Sequence, residues 1–310
     1  MPPDTSRPSV PPLLVMLFGI LTISTGSIIA RYGLGYAPAL VVAAFRMVLA
    51  TLVLAPLALT SHRNELAALS RSELALAGLS GFFLALHFAS WITSLEYTSV
   101  SSSVVLVTST PLWVAMLAPF TLKEPISRPI LVGMTMALVG GAVVGLSDTC
   151  TFSAEGLSCP GVAEFFRGQA ILGDALATLG AIMAAAYVII GRRLRAKLSL
   201  VGYITLVYGA AALVLVVILF ASGRTPLGYP PIAYLWFLLL ALVPQLLGHS
   251  SFNWALGYVP AAVVSVALLG EPIGATLLAY FLLNETPTPF KIFGAILILV
   301  GIYIASRGDQ

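Results

Sequence analysis

Two long apolar stretches of the chain each carry polar and aromatic side chains spaced by one helical turn. The first holds His87 and Trp91, and the second holds Gln245, His249 and Asn253. Residues four apart lie on one face of a helix, so each stretch would present a polar stripe. Imidazoles and amides hydrogen-bond ammonium and carboxylate groups, while aromatic faces stack on rings and attract ammonium groups. The two stripes therefore predict a pocket for a small ligand with a flat apolar body and a polar head.

Other side chains are candidates for the lining of the same pocket: Ser24, Ser27, Thr108, Trp113 and Tyr187. Trp91 and Trp113 have an alternative place in the aromatic belt at the membrane surface. Trp113 lies deeper inside its apolar stretch, so we expect it to be the better wall of the two. For His87 the alternative is a buried imidazole bonded across helices, and for Gln245 and Asn253 it is helix-to-helix hydrogen bonding.

Two full charges, Arg46 and Glu271, stand in the middle of apolar stretches. Charged groups in hydrocarbon need partners or water, so these two either pair with each other or line a water path. A part in proton coupling is one role considered for Glu271. Glu124 and Glu285 stand at the ends of apolar stretches, where solvated pairing with neighbouring lysines is expected.

Composition indicates which elements must position these residues. Of the 310 residues, 59% are hydrophobic and only 9% are charged, whereas roughly 25% are charged in soluble domains. Such a chain has lipid as its solvent, and each helix that crosses a bilayer needs about 20 apolar residues. Ten apolar runs are of about this length: 13–30, 38–58, 74–94, 99–120, 129–147, 170–190, 200–221, 232–253, 260–283 and 289–306. We therefore predict an all-α integral membrane protein with ten transmembrane helices.

Lysine and arginine residues set the predicted orientation. With the N-terminus in the cytoplasm, ten of them fall in cytoplasmic segments and four in external loops. Both termini are therefore expected to be cytoplasmic, in a bacterial-type inner membrane. Cys150 and Cys159 then lie in the extracytoplasmic loop 148–169, where an oxidising compartment favours a disulfide between them, with two unpaired thiols as the alternative.

The chain repeats itself at an offset of 161 residues, which separates Pro111 from Pro272 (272 − 111). Identical residues recur in this register from the first span to the last: Gly19/Gly180, Arg31/Arg192, Ser90/Ser251, Glu124/Glu285, Gly133/Gly294 and Gly140/Gly301. This pattern predicts two repeats of five spans, residues 1–147 and 170–310. Because five is an odd number, the second repeat would enter the membrane upside down relative to the first.

Inverted repeats build transporters around one central site, and interrupted helices in matching places point to that site. Pro111 and Pro272 fit this description, and Pro244 stands just before the second polar stripe. We predict that all three disrupt their helices beside a central cavity and act as hinges. The alternative is an ordinary kink whose freed backbone groups bond to neighbouring helices.

The chain resembles the EamA family of the drug/metabolite transporter superfamily in residues 110–141 (TPLWVAMLAPFTLKEPISRPILVGMTMALVGG), in residues 271–301 (EPIGATLLAYFLLNETPTPFKIFGAILILVG) and in Arg46 within AAFRM. The resemblance covers nearly the whole chain and implies ten spans and transport. It is closest to the bacterial YddG-type exporters of aromatic amino acids, whereas other members of the superfamily export drugs, sugars and nucleotide sugars. It implies a structural or gating role for Arg46 and Glu271, because members with different cargo share an arginine in span two and an EP in span nine. It also implies that the end helix of each repeat packs away from the cavity, where a homodimer contact would fall.

The sequence contains no H-E-x-x-H, G-x-S-x-G or Walker motif, which argues against a zinc protease, a serine hydrolase and an ATP-driven pump. No catalytic residue, cofactor, metal or nucleic-acid partner is expected. The predicted function is secondary transport, with small metabolites exported by alternating access and aromatic or hydrophobic amino acids as the leading cargo. An exporter of other cargo, such as a drug, sugar or nucleotide-like metabolite, and a channel-like facilitator are the alternatives.

Overall fold

The computed structural model describes residues 8, 10–98, 100–149, 151–153, 156–158, 170–283 and 289–307. Almost all of them are helical, apart from a short antiparallel hairpin of β1 (Thr151–Ser153) and β2 (Gly156–Ser158). The helices before the hairpin are α1 (Pro12–Ile23), α2 (Thr25–Leu34), α3 (Ala39–Ser61), α4 (Arg63–Ala67), α5 (Arg71–Tyr97), α6 (Val100–Val107), α7 (Thr110–Thr121) and α8 (Arg128–Thr149). Those after it are α9 (Ala170–Arg195), α10 (Leu200–Ala221), α11 (Pro231–Leu240), a π-helix (Ala241–His249), α12 (Ser250–Ala255), α13 (Ala261–Leu268), α14 (Glu271–Leu283) and α15 (Pro289–Arg307).

Among the described residues, six helical segments are long and apolar enough to cross a membrane: Pro12–Leu34, Ala39–Ser61, Arg71–Tyr97, Ile171–Arg195, Leu200–Ala221 and Pro231–Ala255. Shorter apolar helices fall within the other predicted spans: Thr110–Thr121, Arg128–Gly140, Ala261–Ala275 and Ile292–Ala305. Large apolar side chains on these helices face outward, and Phe120 and Leu213 are 85% and 66% exposed. Only lipid accommodates so much apolar surface, so the chain is a membrane protein.

Two of the predicted spans are each divided into two helices by a turn of two residues. A turn at 108–109 separates α6 from α7, and a turn at 269–270 separates α13 from α14. Pro111 and Pro272 are each the second residue of the helix that follows the turn. At that position the missing N–H costs little, because first-turn N–H groups have no intrahelical acceptor. The prolines therefore begin new helices, and each predicted interruption lies in the turn just before its proline.

The third predicted hinge residue, Pro244, lies within the π-helix Ala241–His249. Proline has no N–H to give to the carbonyl four residues back, and its ring crowds that carbonyl. The wider π turn relieves this crowding, and such segments are frequent at functional sites. Because Gln245 and His249 belong to the same segment, the change of winding also sets the direction in which their side chains project.

Helices α8 and α15 pack together through glycine. A Cβ at Gly140 would stand 2.6 Å from the carbonyl oxygen of Gly294, and a Cβ at Gly301 would stand 2.5 Å from that of Gly133. Real side chains do not approach backbone oxygens so closely, so only glycine lets these two helices meet. The end helices of the two halves are thus in direct contact with each other.

The short helix α4 ties the connection between α3 and α5 to the start of α10. The Glu65 carboxylate accepts hydrogen bonds from the backbone N–H and the hydroxyl of Ser199, both at 2.6 Å, and lies 3.1 Å from His62 Nδ1. Partial burial acts to raise the pKa of Glu65, but the bonds from Ser199 and His62 outweigh it and leave the pKa below its ordinary value.

We expect Glu65→Gln to lower stability in a pH-dependent way. A carboxylate whose pKa is lower in the folded state contributes stability above its unfolded pKa of about 4.3, and this contribution is lost as the pH falls through the folded value. The wild type should therefore unfold at a higher temperature than Glu65→Gln at pH 7, and the gap should shrink below about pH 4. Thermal unfolding of the purified proteins across this range measures the gap, and a gap that is independent of pH would contradict the account.

One prediction about the external loop lies outside the described residues. It concerns Cys150 and Cys159, and the disulfide between them stays a prediction. The hairpin of β1 and β2 stands between the two cysteines in the sequence.

Candidate functional site

A cavity lies beside the two helix breaks and takes its walls from both halves of the chain. It encloses about 730 Å³ of empty space, solvent at its mouth included. Thr108 and Thr110 line it at the first break, and Leu268 and Glu271 line it at the second. The lining includes many residues singled out by the sequence: Arg46, His87, Trp91, Thr108, Tyr187, His249, Asn253 and Glu271.

Stacked and edge-on rings form one wall of this cavity. The rings of His87 and Trp91 are nearly parallel, at an interplanar angle of 8° and a centroid distance of 6.1 Å. His249, from the π-helix, meets His87 edge-on at 6.4 Å and Phe88 at 5.3 Å. The two polar stripes predicted on separate helices therefore come together, and Phe252 of α12 adds another aromatic ring to the lining.

The structure reverses the order of preference between the two tryptophans. Trp91 lines the cavity, while Trp113 packs partly buried against the core and is absent from the lining. Position along a span did not predict this difference, because the direction in which each side chain projects matters more than its depth. Both indole N–H groups are buried, and neither has a hydrogen-bond partner in the part of the chain that the structure describes.

Other predicted site residues lie next to the cavity without lining it: Ser24, Ser27, Gln245, Pro111, Pro244 and Pro272. Ser24 stands between α1 and α2, where its hydroxyl donates to the carbonyl oxygens of Ile20 at 2.6 Å and of Glu271 at 3.1 Å. It therefore links the interruption of the first span to the start of α14. Ser27 is buried and its hydroxyl has no partner among the described residues.

His87 fulfils both of the roles considered for it. Its ring lines the cavity, and its Nδ1 lies 2.9 Å from the carbonyl oxygen of Gly180 on α9. Because a carbonyl oxygen only accepts, Nδ1 carries the proton in this contact. The bond across helices fixes the ring orientation that lets His87 stack on Trp91.

The two intramembrane charges share the cavity but do not form an ion pair. Arg46 and Glu271 both line it, and among the described residues no contact within 4.0 Å joins their charged groups. Arg46 is 1% exposed, donates from Nε to the Gln245 side-chain oxygen at 2.8 Å, and has its guanidinium carbon 4.0 Å from the centre of the Phe88 ring. Of the two predicted arrangements, the structure has the one in which both charges face the cavity.

A buried hydrogen-bond network supports the wall formed by Tyr187 and Asn253. The Tyr187 hydroxyl donates to the Asn253 side-chain oxygen, and the Asn253 amide donates to the Tyr208 hydroxyl at 3.1 Å. The Tyr208 hydroxyl in turn lies 3.2 Å from the Ser250 hydroxyl. Arg195 donates from Nε to the Asn253 carbonyl oxygen at 3.0 Å, so this residue is held through its backbone as well.

An ion pair joins several elements at one end of the cavity helices. Arg192 Nε donates to Glu124 Oε1 at 2.7 Å, and Arg192 Nη1 donates to the carbonyl oxygen of Leu256 at 2.9 Å. The other Glu124 oxygen accepts from the backbone N–H of Ala261 at 3.2 Å. Solvated pairing with a neighbouring lysine was expected for Glu124, whereas the structure pairs it with an arginine of α9. The loop after α7, α9 and the start of α13 are thereby held together.

The sequence profile of the EamA-like transporter family matches the chain twice, over residues 10–146 and 171–307. These matches cover most of its length, and the chain belongs to the EamA-like transporter family. Family and relatives indicate a membrane transporter and not an enzyme.

Relatives of known sequence carry the same general description. The chain is 27% identical to a Bacillus subtilis (strain 168) protein named uncharacterized transporter YyaM, over 306 residues that cover 95% of this chain and 93% of that protein. It is 22% identical to an uncharacterized transporter of Archaeoglobus fulgidus over 236 residues, which cover 76% of this chain and 75% of the relative. A protein of known crystal structure is similar with a TM-score of 0.73 at 17% identity, over 96% of this chain and 97% of that one. That last likeness concerns the fold alone.

Proposed function

We propose that the chain is a ten-span secondary transporter, built from two inverted five-span repeats, which exports aromatic or other hydrophobic amino acids by alternating access. Its place would be a bacterial-type inner membrane, with both termini in the cytoplasm. The observation that carries the proposal is the pair of helix breaks at 108–109 and 269–270, in matching register beside one cavity.

Several offsets of 161 residues support the repeat. The two family matches begin at residues 10 and 171 and end at residues 146 and 307, which gives this offset at both ends (171 − 10 and 307 − 146). The same shift carries the break at 108–109 onto the break at 269–270. Two interrupted helices that correspond in this way are the expected feature of a transporter with inverted repeats.

The shift of 161 residues also carries one contact between helices onto another. Moving by 161 residues converts Gly133 into Gly294 and Gly140 into Gly301, so the contact of Gly133 with Gly301 becomes that of Gly294 with Gly140. Both contacts occur at the crossing of α8 and α15. A set of contacts that maps onto itself is what a two-fold axis between the halves would produce.

A second pair of contacts behaves in the same way beside the cavity. A Cβ at Gly180 would lie 3.4 Å from the Cβ of Trp91, and a Cβ at Gly19 would lie 2.9 Å from the ring of Phe252. The shift of 161 residues carries Gly19 onto Gly180 and Trp91 onto Phe252. Since Trp91 and Phe252 both line the cavity, its aromatic walls are related by the repeat.

The lining supports an amino-acid cargo with an apolar side chain. Trp91, His87, His249 and Phe252 offer ring faces to a flat apolar group. Hydroxyl, amide and charged groups of the same lining offer hydrogen bonds to a polar head. A small cavity with apolar walls and a few polar groups is typical of a site for such a ligand.

The ends of the helix bundle support alternating access. Arg192 binds Glu124 and Leu256 at one end, while Arg31, its counterpart in the repeat, is exposed. We infer that opening of the cavity towards the Arg192 end requires this ion pair to break, while the helix breaks and the π-helix provide the bending points. By the orientation inferred from charge, the Arg192 end is cytoplasmic.

Uptake of radiolabelled amino acids into proteoliposomes tests the proposal. We expect saturable uptake of phenylalanine, tyrosine or tryptophan that requires the protein, together with exchange for unlabelled amino acid trapped inside. Saturable uptake of another class of compound would show that the proposed cargo is wrong and that the assignment as a transporter stands. Flux that rises without saturation and shows no exchange would favour a channel-like facilitator.

A further inference from the structure

Two residues that line the cavity carry unpaired hydrogen-bond donors. Arg46 Nη1 and Trp91 Nε1 are buried and have no hydrogen-bond partner among the described residues. Both are N–H groups, so what they lack is an acceptor. Buried donors without a partner are costly and rare in native structures, and two of them on the lining of one cavity need a specific explanation.

The Arg46 guanidinium is held in place by Gln245 and Phe88. Its Nε donates to Gln245 at 2.8 Å, and the ring of Phe88 lies against its carbon at 4.0 Å. Because the amide and the ring fix its orientation, the guanidinium of Arg46 presents a planar fork on the cavity wall that still has an unbonded N–H group. Such a fork matches a carboxylate, with which it forms short, charge-assisted hydrogen bonds.

Glu271 supplies the opposite charge on the wall of the same cavity. Its carboxylate forms no ion pair within 4.0 Å with Arg46 in the described structure. Arg46 is buried and Glu271 is partly buried, so each charge on this cavity would be stabilised by a counter-charge in direct contact, which neither supplies to the other. One ligand that carries both charges would supply both counter-charges.

We propose that Arg46 binds the carboxylate of the cargo, with Trp91 Nε1 as a further donor of the lining, and that Glu271 binds its ammonium group. This inference rests on the proposed function and deepens it, because it restricts the cargo to zwitterions and gives the two charges a part in cargo choice. From the sequence we expected a structural or gating role for them, with proton coupling through Glu271 as the alternative. The ring wall of Trp91, His87 and Phe252 then holds the side chain of the cargo.

Binding of three related compounds to the purified full chain tests the two contacts separately. L-Phenylalanine carries both charged groups, phenethylamine lacks the carboxylate, and 3-phenylpropionate lacks the ammonium group. We expect the wild type to bind phenylalanine at least about tenfold more tightly than either analogue, because each charge-assisted contact contributes that much or more. Arg46→Gln should lose the preference over phenethylamine and keep that over 3-phenylpropionate, and Glu271→Gln should do the reverse.

Controls keep folding and binding apart. Arg224→Gln removes an exposed arginine from the loop before α11 and should retain both preferences. Arg46→Lys keeps the positive charge and should recover part of the preference over phenethylamine, which a variant that merely misfolds would not do. Each variant is compared only if it elutes from a size-exclusion column as a single species at the same volume as the wild type.

Three results would overturn the inference. If phenylalanine binds and both preferences survive in Arg46→Gln and Glu271→Gln, the charge contacts are wrong while the proposed function stands. If the wild type prefers 3-phenylpropionate or phenethylamine, the cargo is a simple anion or cation and not a zwitterion. If none of the three compounds binds and no amino acid is transported, the proposed function fails together with the inference.

Discussion

Gly140→Leu is expected to lower the free energy of unfolding by about 3 kcal/mol, because it forces a side chain into a crossing with no room for one. A Cβ at Gly140 would lie 2.6 Å from the carbonyl oxygen of Gly294 and 2.9 Å from the Ile298 side chain. Backbone at this crossing cannot rotate away as a flexible side chain would, so α8 and α15 must move apart. Chemical unfolding of the purified protein in detergent measures the loss.

Two further glycines make this prediction specific. Gly78→Leu on α5 is the matched control, since a Cβ there has no heavy atom within 4 Å, and it should leave stability nearly unchanged. Gly301, the repeat counterpart of Gly140, meets the Gly133 carbonyl oxygen at 2.5 Å, so Gly301→Leu should be as harmful as Gly140→Leu. Equal losses of unfolding free energy at Gly78 and Gly140 would mean that leucine destabilises any of these helices. The close crossing of α8 and α15 would then not explain the effect at Gly140.

Trp91→Leu should raise the half-saturation concentration for aromatic amino acids about tenfold, the equivalent of about 1.4 kcal/mol of lost ring contact. Trp91 lines the cavity and stacks on His87 at 6.1 Å, so its loss removes the ring wall and frees the imidazole. Initial uptake rates at increasing cargo concentration give this value. Leucine is chosen as the replacement because it keeps most of the apolar packing that alanine would remove.

Trp113→Leu provides a matched comparison with the same change of side chain. The indole N–H of Trp113 is also buried and has no partner within the described ranges, yet Trp113 is not part of the lining. Its replacement should change the half-saturation concentration by less than about twofold. A larger effect at Trp113 than at Trp91 would show that the cargo does not bind in this cavity.

The sequence predicted the class of protein and the position of the helix breaks for physical reasons. Apolar runs of bilayer length can only be membrane helices, and the repeat placed Pro111 and Pro272 in corresponding spans. Spacing by one helical turn also brought His87 and Trp91 onto one face, as it does in the structure. The sequence did not indicate that each break is a two-residue turn just before its proline, because the pattern of apolar residues runs through a turn as it does through a helix.

Other features depend on packing that a single sequence does not display. Phe88 and Tyr208 read as ordinary apolar and amphipathic residues, yet they hold Arg46 and Asn253 in place. The pairing of Arg192 with Glu124 joins residues far apart in the chain. The repeat did offer one indication of this pair, because an arginine and a glutamate also occupy the two corresponding positions in the other half of the chain.

The central claim is that one cavity opens to each side of the membrane in turn. Ala184 lines the cavity and is small and buried, so Ala184→Cys, with Cys150 and Cys159 replaced by serine, reports on access to it. Ala211→Cys is the matched control, because Ala211 is fully buried on α10 and does not line the cavity.

The decisive measurement is the labelling of Ala184→Cys by a membrane-impermeant thiol reagent, applied to right-side-out and then to inside-out vesicles. The account predicts labelling from both faces, slowed in both cases by saturating cargo, with Ala211→Cys unlabelled. Labelling from one face only, or labelling that cargo does not slow, would contradict alternating access at this cavity.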